Sequence, residues 1–356
     1  MNGRSKNVAL VRWSDHDALA TAIGNEIQRA GYTLTIFRFD QPHPLDAALV
    51  FSFAPYGRWM QIPRALGQRN PRPLLLHWNT ENPPDLRIPW RVMKMLGDAR
   101  AGLDRFHDAP NAKKWLESPL FRALDARSIK FRYVGEYHYA ARRGWLDVYA
   151  ESSEIYGELH ARHGLATKIV PWGTVPEWHA DLGLERDIDV LWFGQRRTKW
   201  RSRLLDQVRA ELNARGIKMV VADGVEQPFV HGAARTHVLN RAKITLNLLP
   251  TWYDHAFPYR FHVAAGNRSL VITEPMLKHC SLYQEGTHYV SAPIPQLAET
   301  IAYYARHETE RRALAENAFE LVTTGMTMGH SVRALLKEVE RARQLQTSDV
   351  SDVVIA

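Results

Sequence analysis

The sequence predicts an α/β protein of two domains with a cleft between them. Three observations carry this expectation. Apolar runs of strand length alternate with segments of helical period, which implies parallel sheets covered on both faces. The alternation lapses once, over residues 173–186, and then restarts. The length of 356 residues exceeds one small core and suits two domains of ordinary size.

The elements follow in order. "NVALVRW" reads as a buried strand, because its apolar run is too short for a signal peptide. Beyond Asp15, the residues Leu19, Ala22, Ile23 and Ile27 recur on one helical face, with Asp15 or Asp17 as the N-cap. Gly31 stops that helix and "YTLTIFRFD" alternates as a strand. "LDAALVFSFAP" and "PLLLHWNTENPP" are further buried strands that end in polar or proline-rich turns. Residues 85–145 are basic and aromatic with weak periodicity, and no order of elements follows from them. "WLDVYAESS" resumes the pattern, "SSEIYGELHARHG" reads as a short capped helix and "TKIVPWG" as a strand, which closes a first domain over 1–172.

Residues 173–186 mix glycine, proline and charge without a sustained period and read as a linker. A second domain over 187–345 opens with the strand "IDVLWFG" and a helix that aligns Leu204, Leu205, Val208 and Leu212. "IKMVVADG", "AKITLNLLP" and "SLVITEP" are its further strands, followed by helices over 296–322 and 331–345. The stretch 346–356 reads as a loose tail, and no short-period repeat occurs.

Composition narrows the function. Hydrophobic residues at 45% and charged residues at 24% are ordinary for a globular chain. The one cysteine, Cys280, excludes an internal disulfide and suits a reducing compartment. No run reaches the roughly 18 apolar residues that span a bilayer, so the expected location is cytoplasmic. A net charge of +8 favours an anionic partner: nucleic acid, a membrane surface or a phosphorylated ligand. The cations are scattered through "RRTKWRSR", "ARR" and "RARQ", a pattern more typical of solvated surface than of a nucleic-acid interface.

Dinucleotide-binding, P-loop, serine-hydrolase and zincin signatures are absent from the sequence. "DID" at 187–189 precedes a strand and reads as its charged entrance, and "DHD" at 15–17 reads first as a helix cap. His160 and His163 lack a carboxylate or thiolate at helical spacing and read as surface histidines, so no metal site is expected. In "VLWFGQRRTKWR" a strand ends in Gly194 and is followed by Arg196, Arg197 and Lys199 close to a helix start. A diphosphate needs close backbone approach, positive charge and preferably a helix N-terminus, and this turn offers all three. A solvated basic turn is the plain alternative.

The order of "RFHVAAGN", "LVITEP", "LYQEGTHYV", "IAYYARHETERRALAENA" and "HSVRALL" resembles the C-terminal half of GT-B glycosyltransferases. It is most similar to the bacterial CgeB-like, glycosyl transferase group 1 (GT4-like) proteins. The resemblance covers about residues 187–340, and "GWLDVYAESS…HGLATKIVPWG" looks like the end of such an N-terminal domain. It implies two Rossmann-like domains facing a central cleft, with a C-terminal helix that crosses back to the first domain. The first domain would present the acceptor. The second would bind a UDP-, GDP- or TDP-linked sugar for a metal-independent, hexosyltransferase-type transfer that needs no cofactor.

The same resemblance assigns candidate residues. Arg260 would join Arg196 and Lys199 on the diphosphate, while Asn247 and Tyr259 would face the sugar or nucleoside. Related retaining enzymes carry two glutamates separated by seven residues, the first facing the sugar and the second binding the nucleotide ribose. At that spacing this chain has Asp254 and His262, the histidine being a weaker and pH-dependent ribose partner. The family's glycine becomes Asn267, or, after a one-residue shift, Gly266 with Phe261 in the acid's place. An inverting transfer would need a base, and His77 and Glu81 lie where a first-domain strand ends, with Asp15 and His16 as second choices. Packing of His77 beside Trp78 is the structural alternative. The basic surface suits a lipid-linked or otherwise anionic acceptor at the inner membrane face. A nucleotide- or sugar-binding protein without turnover is the rival reading.

Overall fold

The computed structural model describes residues 6–12, 14, 17–38, 47–53, 59–81, 84–106, 118–196, 198–250, 258–277 and 280–353. The chain divides into two compact units, Met1–Val170 with Val332–Ala356, and Pro171–Ser331.

Unit 1 is built on six parallel strands: β1 (Asn7–Arg12), β2 (Thr33–Arg38), β3 (Leu49–Phe53), β4 (Leu74–Asn79), β5 (Val148–Glu151) and β6 (Thr167–Ile169). They lie in the order β2-β1-β3-β4-β5-β6. The central strands β3, β4 and β5 are buried along their whole length, whereas the edge strands β2 and β6 are largely exposed. Helices on both faces demand that pattern, and continuous apolar runs such as "LVFSF" meet it. Helix α1 (Ala18–Arg29) buries Ala20, Ile23 and Ile27 and is capped by Asp17, which accepts from the Leu19 and Ala20 N–H groups at 3.1 and 3.0 Å. A short α2 (Gln61–Gly67) follows β3.

The weakly periodic middle forms two helices, α3 (Trp90–Phe106) and α4 (Pro119–Arg142), that pack on each other. Their backbones touch at two glycines. A Cβ on Gly135 would lie 2.1 Å from the Gly97 carbonyl oxygen, and one on Gly97 would lie 2.6 Å from that of Phe131. A crossing made by glycine backbone leaves little apolar stripe to read in the sequence. Helix α5 (Glu154–Arg162) then buries His160 fully, which corrects its expected surface position.

Unit 2 has five parallel strands: β7 (Ile188–Phe193), β8 (Met219–Ala222), β9 (Ala242–Asn247), β10 (Leu270–Thr273) and β11 (Val290–Ser291). Their order is β11-β10-β9-β7-β8. Helices α6 (Lys199–Asn213), α7 (Gly232–Arg241), α8 (Pro258–Ala265), α9 (Leu297–Arg306) and α10 (Glu308–Glu320) connect and cover them. Leu204, Leu205, Val208 and Leu212 of α6 join Ile244, Leu246 and Ile272 in one core, each such side chain contributing about 1.5–3 kcal/mol on burial. The "DID" acids sit at the entrance of β7, where Asp187 pairs with Arg241 and Asp189 with Lys243.

Two expected boundaries change. Residues 173–186 are not a free linker but lie within unit 2. Thr174 donates its N–H to Met326 O at 2.9 Å and its hydroxyl to Val322 O at 2.7 Å, while Ala180 N–H donates to Asn267 Oδ1. Buried Trp172, Val175 and Trp178 supply the anchoring that the polar composition conceals. The last helix, α11 (Met328–Val353), starts in unit 2 and from Val332 onward belongs to unit 1. There Glu338 pairs with Lys168 and Glu340 accepts from Tyr32 Oη. The helix also runs through residues 346–353, most of the expected tail.

Candidate functional site at the carboxyl edge of the second sheet

In the second sheet β8 lies on one side of β7 and β9 on the other. The connections therefore reverse direction between β7 and β9, and a crevice at the carboxyl ends of those strands is where open α/β sheets hold ligands. Gly194 directly follows β7, and Asn247 ends β9.

Gly194 has φ +116, a conformation suited to glycine, and a Cβ there would come 3.0 Å from Arg260 Nη2. Arg260 is 9% exposed. Its Nη1 donates to Asn247 Oδ1 at 2.8 Å, and its guanidinium lies 5.6 and 5.7 Å from the Trp192 and Phe193 ring centres. Asn247 in turn donates to Thr273 Oγ1 at 3.1 Å. Gly194, Arg260 and Asn247 thus form one cluster around a cation framed by aromatic rings.

The turn after Gly194 leads to Thr198, the N-cap of α6. Its hydroxyl accepts from Arg201 N–H at 3.2 Å and donates to Pro250 O at 2.6 Å. The cationic turn is thereby fastened to the residue before the 251–257 connector, and Arg260, just after that connector, touches Gly194. Lys199 is the exposed first residue of α6.

Arg196 is placed differently from its expected role. It donates to Asp206 and Asp223 at 2.7 Å each and also pairs with Glu226. Burial opposes its charge, but the bonds to Asp223 and Asp206 outweigh this and hold the guanidinium above its usual range. Three carboxylates largely neutralise this cation, so it has little charge to offer a phosphate. Arg197 and Asp254 lie outside the described residues, as do Asp15 and His16.

The remaining candidates turn inward. His262 is fully buried and within 2.7 Å of Tyr283 Oη, and burial pushes its pKa down to about 3. It is a neutral core residue over the physiological range, which corrects the expectation of a pH-dependent ribose ligand. Asn267 is buried too. Its amide donates to Trp178 O and Val263 O, and its oxygen accepts from Ala180 N–H and Asn240 Nδ2. The left-handed position after α8 falls to neither Asn267 nor Gly266 but to Arg268, at φ +53. Arg268 and Ser269 N–H close the helix on Ala265 O and Ala264 O, and the Arg268 guanidinium stacks 3.5 Å from the Phe319 ring centre. Gly266 is required instead by close approach, since a Cβ would meet His179 Cβ at 3.0 Å. Tyr259 accepts from Arg235 and packs edge-on to Trp178 at 5.2 Å.

In unit 1, His77 lies inside β4 rather than past its end. Ser52 Oγ is 2.8 Å from its Nδ1, the Trp59 and Tyr137 rings flank it at 4.8 and 4.7 Å, and burial lowers its pKa to about 3. A fully buried imidazole cannot take a proton from an acceptor, which removes His77 as a base. Glu81 lies beyond the carboxyl end of β4, with its N–H on Asn79 Oδ1 at 3.4 Å. Beside it Glu151 accepts from Asn79 Nδ2 and Tyr149 Oη at 2.9 and 2.8 Å, and burial raises its pKa to about 8.

Sequence reasoning missed Thr198 and Glu274. Glu274, 2% exposed directly after β10, accepts from Leu249 N–H at 2.7 Å and so positions the end of β9. An acid closing the apolar run "SLVIT" was the available signal.

This geometry can be compared with known proteins. Residues 196–337 match the family model described as glycosyl transferase-like. No curated protein matches the chain. Among solved structures, the fold is similar to a glycosyltransferase from Rickettsia africae ESF-5, with TM-score 0.61 and 9% identity over 95% of this chain and 98% of that one. It is also similar to Anabaena Alr3699/HepE in complex with UDP, with TM-score 0.57 and 10% identity over 94% and 99% of the two chains. Sucrose-phosphate synthase from Thermosynechococcus elongatus gives TM-score 0.52 and 12% identity over 96% and 99%. At these identities the likeness is one of fold. Residues 196–337 thus match the glycosyl transferase-like family model, within a chain that has the GT-B fold.

Proposed function

We infer that the protein transfers a sugar from a nucleotide diphosphate sugar to an acceptor hydroxyl, with the donor diphosphate at the carboxyl edge of the unit 2 sheet. The observation that carries this is the buried Arg260 guanidinium, held by Asn247 against the Gly194 turn at the β7/β9 crevice. In the transfer the bond between the sugar and the diphosphate breaks, and the diphosphate leaves with the electron pair. A bond forms to the acceptor oxygen, whose proton passes to a base. Charge grows on the leaving diphosphate, and Arg260, Lys199 and the N–H groups at the start of α6 would stabilise it without a metal ion. Arg260 is the strongest of these, because a cation in low-dielectric surroundings interacts more strongly than one in water. Glu81, half-buried just past the carboxyl end of β4, takes the base role in an inverting transfer, since Glu151 at the end of β5 is fully buried.

The test is a panel of UDP-, GDP- and TDP-sugars, with release of the nucleoside diphosphate followed in the presence and absence of a chelator. UDP-sugars come first, because Anabaena HepE, which shares the fold, was solved with UDP. Arg260→Met should lower kcat/KM by about 10²–10³-fold, with activity unaffected by the chelator. Absence of binding to every nucleoside diphosphate, measured by calorimetry on folded protein, would overturn the reading.

A further inference from the structure

The strands of unit 2 are parallel, so their amino ends share one edge, opposite the edge that carries Gly194 and Asn247. At that amino edge lies a cavity of about 800 Å³, and its described lining residues all belong to unit 2. This is the size of a small-molecule pocket. Among the described residues five cations line it: Arg186 just before β7, Lys243 in β9, Arg268 just before β10, and Arg311 and Arg312 in α10. Three of them are matched by acids. Lys243 bonds Asp189 at 2.6 Å, Arg268 bonds Glu316 at 2.7 Å and Arg312 bonds Glu308 at 2.7 Å. Glu308 and Glu316 are more than half exposed, so their pairs stand at the rim. Asp181 and Glu185, the other acids of the lining, are exposed too, and Asp181 lies 3.6 Å from Arg268.

The other two cations bond only to backbone. Arg186 donates to the carbonyl oxygens of Leu239, Ala242 and Asn267, and Arg311 to those of Tyr304 and Ala305. Among the described residues no carboxylate bonds either guanidinium, although Arg311 is only 4% exposed. Carbonyl oxygens satisfy N–H groups but leave the formal charge uncompensated, and a buried charge is costly without a counter-charge. The two groups also oppose each other: burial first, and then the Arg311 charge, bring Arg186 down to about 10. Arg311 is lowered as well, chiefly by burial, while Glu308 and Asp189 act on it from a distance. A phosphate group can accept from two planar guanidinium forks at once and supplies negative charge to both. We propose that this cavity binds a phosphate group, carried as inorganic phosphate or as a phosphate monoester, at a site separate from that of the donor diphosphate.

The experiment is calorimetry of the full chain with inorganic phosphate and, separately, with glucose-6-phosphate as the monoester. Saturable binding is expected. Arg311→Gln should weaken it by about tenfold or more, since charge-assisted bonds to the phosphate are lost. Arg260→Met should leave this binding in place, because Arg260 stands at the opposite edge of the sheet. Arg312→Glu changes a side chain that is 73% exposed, and it serves as the second variant should circular dichroism show that Arg311→Gln impairs folding. It should weaken binding in the same direction. A monoester that binds about tenfold tighter than inorganic phosphate assigns the cavity to a phosphorylated metabolite, and one that binds no tighter assigns it to free phosphate. A folded chain that binds neither probe at millimolar concentration would overturn the proposal. So would binding that survives both Arg311→Gln and Arg312→Glu, and its loss in Arg260→Met would then place the anion in the donor site.

Discussion

Lowering the pH from about 7 to about 5 should destabilise unit 2, with a large share coming from one fully buried side chain, His262. In the folded unit its imidazole is buried against Tyr283 and Phe261, and its pKa is lowered to about 3 from an ordinary 6.5. Above the ordinary value both folded and unfolded states hold it neutral, and it contributes no pH dependence. Below that value the unfolded chain binds a proton and the folded one does not, so stability falls as pH falls from about 6.5 towards about 3. At pH 5 the unfolded imidazole is about 1.5 units below its pKa, which favours unfolding by about 2 kcal/mol. His262→Gln keeps a polar group within reach of Tyr283 and cannot titrate. Urea unfolding, read by hydrogen exchange of unit 2 peptides at both pH values, should show a drop about 2 kcal/mol smaller in the variant than in the unsubstituted chain. Equal drops in the two proteins would refute the reasoning, because the imidazole would then bind its proton equally in both states.

Three further outcomes are expected. Gly194→Ala should leave unit 2 folded but weaken nucleoside diphosphate binding at least about tenfold by calorimetry, because the new Cβ meets Arg260 and φ +116 disfavours it. Thr198→Val loses both the α6 cap and the bond to Pro250, and should lower unit 2 stability by about 1–2 kcal/mol in urea titrations. Glu151, with its pKa raised to about 8, is protonated in the fold while ionised in the unfolded chain, so it lowers unit 1 stability as pH rises from about 4.5 to about 8. Glu151→Gln should flatten that part of the pH profile, and an unchanged slope would count against a buried neutral carboxyl.

The strands were legible because short unbroken apolar runs between turn residues suit a sheet covered on both faces, and "LVFSF" and "LLLHWN" are indeed buried throughout. Asp17 was legible as a cap because its partners are two and three residues away. Arg196 was not, since the acids that neutralise it stand 10, 27 and 30 residues further along the chain. Neither was the crossing of α3 and α4, made by glycine backbone rather than by an apolar stripe.

Local order alone determined the alternation of strands and helices, the cationic turn after Gly194 and the motif order of the second half, since these depend on neighbours in sequence. Tertiary structure decided which polar side chains meet solvent. It enclosed His77, His262 and Asn267, engaged Arg196 with carboxylates and brought Arg260 against Gly194 across 66 residues. The physical reason is that an imidazole, amide or guanidinium is stable either hydrated or buried with partners. Which state it adopts depends on groups that only the folded chain brings within reach.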